Sequence, residues 1–103
     1  MVEGLYSILK QNISEVSIKL TSDDHPIFQA HFPHNPILPG FALNDIMAKI
    51  FDDSIIRINK SKFIAHLLPN DVLICKSNKD GQRRNIKIFK NKEKVTEISY
   101  ETE

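Results

Sequence analysis

The sequence predicts an α+β fold: one antiparallel sheet around a single dominant helix, in one domain covering residues 1–103. Three observations predict it. A strong helical period occurs at one place, residues 40–52. A two-residue period takes over from residue 54 and runs to the end. The segments of that second half are joined mostly by short turn signals, which suit antiparallel neighbours. A chain of 103 residues buries one core and not two.

Taken in order, residues 2–10 read as a short helix. "EVSIKL" alternates, with Val16, Ile18 and Leu20 on one side and Glu15, Ser17 and Lys19 on the other, so it reads as a half-buried strand. "TSDDHP" reads as a loop, and "IFQA" as a short extended piece leading into a proline-rich turn. Residues 28–40 hold Pro33, Pro36 and Pro39 together with Gly40, which fixes several φ angles and removes backbone donors. The helix follows. Leu43, Ile46, Met47 and Ile50 make its apolar side, and Asn44, Asp45, Ala48, Lys49 and Asp52 the polar one. Four strands complete the chain: "SIIRINKSKFIA", "DVLICKS", "RNIKIFK" and "VTEISYE". The last three are separated by turns at "KDGQ" and "NKEK", the first carrying an Asp-Gly signal.

Composition narrows the function classes. No window stays apolar for eighteen residues, which argues against a membrane span. The first residues carry Glu3 and only a short apolar patch, unlike a secretory signal. A lone Cys75 makes no internal disulfide and reads as a small buried hydrophobe; together these point to the cytoplasm. Charge is uneven. From Arg57 to Lys94 there are eleven Lys or Arg against three acids, while the rest holds three bases and ten acids. That basic stretch reads as a solvated sheet face or as a docking patch for an acidic partner. It lacks clustered aromatics and glycine-rich loops, so nucleic acid is not the expected partner. His25, His31 and His34 lie on a proline-broken loop, with no Cys or carboxylate at a usual zinc spacing, so no metal is expected. His66 reads as a surface residue at a strand end.

The segment "AHFPHNPILPGFALNDIMAK" carries the chemistry. It resembles the signature of the hotdog-fold 3-hydroxyacyl-acyl-carrier-protein dehydratases, with His31-Phe32-Pro33, then Asn35-Pro36, then Leu38-Pro39-Gly40, and Asp45 at the acidic position of the helix. "KSKFIAHLLPNDVL" is similar to the family's link between the strand after the helix and the next strand. Ala30 and His34 stand where the family usually has glycine.

The resemblance implies a hotdog fold and dehydration of a 3-hydroxyacyl thioester to a trans-2-enoyl thioester, with no cofactor. It implies that His31 is the base removing a C2 proton, because a neutral imidazole titrates near physiological pH. Asp45 would be the acid for the leaving hydroxyl. The Gly40 N–H, at the helix start, would stabilise charge on the thioester oxygen. Phe32, Pro33, Pro39 and Phe41 would line the substrate. The partner would be acyl carrier protein bearing acyl-phosphopantetheine, docked on Arg57, Lys60, Lys62, Arg83 and Arg84. A homodimer or larger assembly of dimers is also implied, pairing His31 of one protomer with Asp45 of the other. Read from the residues alone, Asp45 equally suits a solvated helix face, and Pro39-Gly40 an ordinary turn. Two other functions stay open: a non-catalytic acyl-binding protein whose tunnel His34 blocks, and an acyl thioesterase.

Overall fold

A computed structural model of the chain describes residues 2–30 and 34–103. Strand β1 (Tyr6–Gln11) forms a hairpin with β2 (Glu15–Leu20). Asn12 shapes the turn, its Oδ1 accepting the backbone N–H of both Ser14 and Glu15 at 3.0 Å. A short helix α1 (Pro26–Ala30) and the main helix α2 (Gly40–Phe51) follow. Then come β3 (Ile55–Phe63), β4 (Val72–Asp80), β5 (Arg83–Lys90) and β6 (Glu93–Thr102). All six strands make one antiparallel sheet in the order β1-β2-β4-β5-β6-β3. The α+β architecture with one dominant helix expected from the sequence is therefore present.

Two local expectations are corrected. Residues 2–10 are not a helix; most of them form β1, because β2 offers a partner and cross-strand pairing outweighs local helix propensity. "IFQA" is not extended but belongs to α1. Pro26 at its first position is pre-set for helix, and His25 caps it: Nδ1 accepts the Ile27 N–H at 3.1 Å, and the His25 carbonyl accepts that of Phe28 at 3.0 Å. With Nδ1 accepting, the other ring nitrogen is the donor, and it lies 2.9 Å from the Glu3 carbonyl.

The core is continuous between α2 and the sheet. Ala42, Leu43, Ile46 and Met47 share it with Val16, Ile18 and Leu20 of β2, Leu73 and Cys75 of β4, Ile86 and Ile88 of β5, and Ile98 and Tyr100 of β6. Cys75 is fully buried, and burial pushes its thiol up to about 12, so it packs and does not react. Asn44, expected on the polar side, is buried, and its Oδ1 has no hydrogen-bond partner among the described residues. The β4–β5 and β5–β6 turns are each two residues long. Gly81 (φ +60°) supplies the left-handed position in one, and Asn91 and Lys92 (φ 52° and 68°) supply both in the other.

The end of α2 positions the next element. Asp52 caps it in the left-handed conformation, and the Asp53 N–H returns to the Ala48 carbonyl at 2.9 Å. That reversal delivers the chain into β3, which lies at the sheet edge and is exposed along almost its whole length, Ile56 and Ile58 included.

Candidate active site

Helix α2 begins abruptly. Pro39 precedes it in an extended conformation and supplies no side-chain cap. The Pro39 carbonyl takes the Ala42 and Leu43 N–H groups at 3.1 and 3.3 Å. Among the described residues the Gly40 N–H meets no acceptor, so a donor at the positive end of the helix stays available.

That donor opens on a cavity of about 670 Å³ whose wall includes Leu38, Pro39, Gly40, Phe41, Phe63 and His66. Its size suits a small apolar ligand. Glycine leaves room here. A Cβ at position 40 would stand 3.3 Å from Cε1 of the Phe63 ring and 3.6 Å from Cζ. Phe63 is the last residue of β3, so the sheet edge and the helix start meet at the cavity.

Of the residues expected at the site, Gly40, Pro39 and Phe41 come together in this cavity. His31, Phe32 and Pro33 lie outside the described residues. Asp45 is on the exposed side of α2, one turn beyond Phe41, and borders a separate shallow cleft with Glu3, Lys49 and Asp52. Among the described residues it has no ionic or hydrogen-bonding partner. Within one protomer the acid and the Gly40 cavity therefore open on different clefts.

His34 stands where the resemblance expects glycine. It borders another depression, with Phe28, Gln29 and Pro36, and is not among the residues lining the Gly40 cavity.

The five basic residues expected to dock a carrier are in different situations. Arg84 is largely buried and bound to Asp53. Arg57 Nη2 reaches both carboxylate oxygens of Glu101, at 2.8 and 2.7 Å. Lys60 pairs with Glu97 at 3.2 Å, and Arg83 Nε donates to Ser99 Oγ at 2.9 Å. Lys62 is exposed, next to Phe63 at the cavity.

Sequence reasoning missed Phe63 and His66. Phe63 read as one more strand residue, and His66 as surface. Only the return of β3 to the start of α2 makes them neighbours, and no local period reports that.

Comparison with known proteins adds independent findings. A family model described as ApeI-like, the ApeI dehydratase, matches residues 9–101. The FabZ 3-hydroxyacyl-[acyl-carrier-protein] dehydratase of Gluconobacter oxydans is 28% identical over 101 residues, covering 84% of this chain and 60% of that enzyme. The FabZ enzyme of Caldanaerobacter subterraneus is 28% identical over 102 residues, covering 86% of this chain and 72% of the relative. The bifunctional enzyme LpxC/FabZ of Chlorobaculum tepidum is 32% identical over 85 residues, or 69% of this chain but only 18% of that protein. Among solved structures, the dehydratase heterocomplex ApeI:P from Xenorhabdus doucetiae contains a chain that superposes with a TM-score of 0.72 at 23% identity, with 92% of each chain covered.

Proposed function

This chain belongs to the ApeI-like dehydratase family, and on that premise we propose that it converts 3-hydroxyacyl thioesters carried on acyl carrier protein into trans-2-enoyl thioesters, in fatty-acid or related acyl-chain synthesis. Its fold is the hotdog fold. The observation that carries the proposal is the uncapped start of α2 facing an apolar cavity: one backbone donor in a low-dielectric pocket is what a thioester oxygen needs as it gains charge.

The reaction proceeds as follows. His31 takes a proton from C2. Electron density moves onto the thioester oxygen, where the Gly40 N–H holds it; such a donor is worth about 3–4 kcal/mol of barrier. The C2–C3 double bond then forms, the C3–O bond breaks, and Asp45 gives the departing hydroxide a proton, releasing water.

Asp45 acts across a subunit boundary in this reading. Its position on the exposed side of α2, away from its own Gly40 cavity, supports a homodimer in which each carboxylate serves the partner's site. The edge strand β3, with Ile56 58% and Ile58 50% exposed, is the surface through which two sheets join into one. The acidic carrier approaches near the exposed Lys62 and Arg83, Arg57 and Lys60 being already paired with Glu101 and Glu97. The setting is cytoplasmic. No helix among the described residues is long and apolar enough to cross a membrane.

The test is spectrophotometric hydration of a crotonyl thioester, with 3-hydroxyacyl substrates of several lengths for the forward reaction. His31→Ala and Asp45→Asn should each abolish most of the rate. Wild-type rates in both variants would refute the assignment. Release of free thiol without a change in double-bond absorbance would select thioester hydrolysis instead.

A further inference from the structure

We propose that His66 is a specificity-determining residue of the Gly40 cavity, hydrogen-bonding the amide-bearing arm through which the thioester is attached to its carrier. The inference rests on the dehydratase reading and adds a residue to it.

The cavity wall is mostly apolar: Ile37, Leu38, Pro39, Phe41 and Phe63 surround Gly40. Among the described residues, Asn35 and His66 are the lining residues whose side chains are polar. An apolar pocket fixes the direction of its ligand through a few placed polar groups, and His66 is one of these two.

Its backbone is firmly held. On one side the Ile64 and Ala65 N–H groups both go to the Val95 carbonyl, at 2.8 and 3.2 Å. On the other, Leu67 is fully buried and its carbonyl accepts the Leu38 N–H at 2.8 Å. The Leu68 N–H donates to Asp71 Oδ2 at 2.8 Å, and Lys90 pairs with that same carboxylate at 2.9 Å. The Leu38–Leu67 bond also ties this segment to the residues just before α2, so His66 and Gly40 keep a fixed relation.

The imidazole itself is uncommitted. Among the described residues no protein group hydrogen-bonds it, whereas His25 uses both ring nitrogens in the fold. Neutral imidazole offers one donor and one acceptor, and so does a secondary amide. His66 is also exposed, so it sits at the cavity's wet end and not at its base. A ligand part that stays in contact with water while its tail is buried is the polar linker, not the acyl chain. Among the described residues no carboxylate or carbonyl orients the ring, as a general base would require. The role is therefore recognition, not proton transfer.

The experiment uses two crotonyl thioesters, one of N-acetylcysteamine, which has an amide in the thiol arm, and one of ethanethiol, which has none. With the first, His66→Ala should raise KM roughly three- to tenfold, the loss of one neutral hydrogen bond, with kcat within about twofold. With the second it should change nothing, and His66→Gln should restore the first. An unchanged KM with the amide substrate, or an equal loss with both substrates, would overturn the inference. If the wild-type protein turns over neither thioester, the dehydratase reading fails separately. Ring NMR shifts of His66, followed during titration with the unreactive thioether S-butyl-N-acetylcysteamine, then decide: movement of the His66 resonances supports the contact, and their constancy refutes it.

Discussion

The Tyr100 hydroxyl donates a 2.7 Å hydrogen bond to Asp53 Oδ2, tying the last strand to the residue that follows the cap of α2. Arg84 grips the same carboxylate through Nε and Nη2, and Lys79 approaches it at 3.7 Å. Arg84 also donates to Ser77 Oγ at 2.6 Å and lies 4.5 Å over the Phe51 ring. The Asp53 side chain is 3% exposed and that of Arg84 11%. The helix end, β4, β5 and β6 thus share one largely buried ionic junction.

Removing one partner of such a junction costs far more than removing both. Asp53→Asn leaves the Arg84 charge uncompensated and should lower stability by about 3 kcal/mol or more. Tyr100→Phe deletes a single bond to a charged group and should cost about 1.5–3 kcal/mol. Asp53→Asn combined with Arg84→Met should recover part of the first loss. Urea unfolding of the three variants measures this; a double variant no more stable than Asp53→Asn alone would contradict it.

The same junction sets a pH dependence. Burial by itself raises the Asp53 pKa, but the hydrogen bonds from Arg84 and Tyr100 and the charges of Arg84 and Lys79 outweigh it and hold the carboxyl below its ordinary range. The folded state then binds fewer protons than the unfolded chain, whose aspartates titrate near about 3.9. The stabilisation is present above that pH and is lost as pH falls through the folded-state value. Thermal melts from pH 6 downward should show falling Tm, and Asp53→Asn should flatten the decline. An equal slope in the variant would assign the effect to other carboxylates.

Much of this fold is legible because periods are local. Leu43, Ile46 and Met47 announce α2, and Val16, Ile18 and Leu20 announce β2, since each pattern is complete within one element. Strand β1 and helix α1 were misread because their causes are not local. One needs β2 beside it, and the other a histidine cap whose ring also contacts Glu3. Asn44 and Asp45 show the same limit at the site. Two adjacent polar residues on one helix look alike in sequence, yet one is buried and the other exposed, because the sheet covers only one side. The motif around Gly40 could be read, but the arrival of Phe63 and His66 depends on the path of β3.

That division between Asn44 and Asp45 makes a prediction. Asp45→Asn alters an exposed side chain without a partner among the described residues, so the unfolding midpoint should stay within about 0.5 kcal/mol of wild type. Loss of a positioned acid should slow dehydration by roughly 10²–10⁴. A variant with unchanged rate would remove Asp45 from the mechanism. A variant that melts early would assign it a structural role.

A buried hydroxyl offers a separate check on the core. Thr96 on β6 is fully buried and its Oγ1 has no hydrogen-bond partner among the described residues. Thr96→Val keeps the shape and β-branching while removing an unmet polar atom, so it should stabilise by about 1 kcal/mol. Denaturant unfolding at neutral pH reads this directly. A loss of stability would mean that the hydroxyl is satisfied in solution.

Gly40→Ala separates cavity shape from helix stability. Gly40 does not have a positive φ, and alanine is a better helix former, so the backbone accepts the change. Among the described residues the new methyl meets only the far edge of the Phe63 ring, at 3.3 Å, and Phe63 is 37% exposed, so the ring can tilt away. Stability should remain within about 0.5 kcal/mol of wild type. The cost falls on the cavity, which loses room where, in the proposed reaction, the thioester approaches the backbone donor. Catalytic efficiency should fall about tenfold or more, since small displacements at a reacting centre carry large penalties. Gly40→Val should be worse still, and adding Phe63→Leu to Gly40→Ala should restore part of the loss by giving the methyl room. If Gly40→Ala retains full efficiency, or if Phe63→Leu gives no relief, the contact between helix start and β3 does not shape the substrate site.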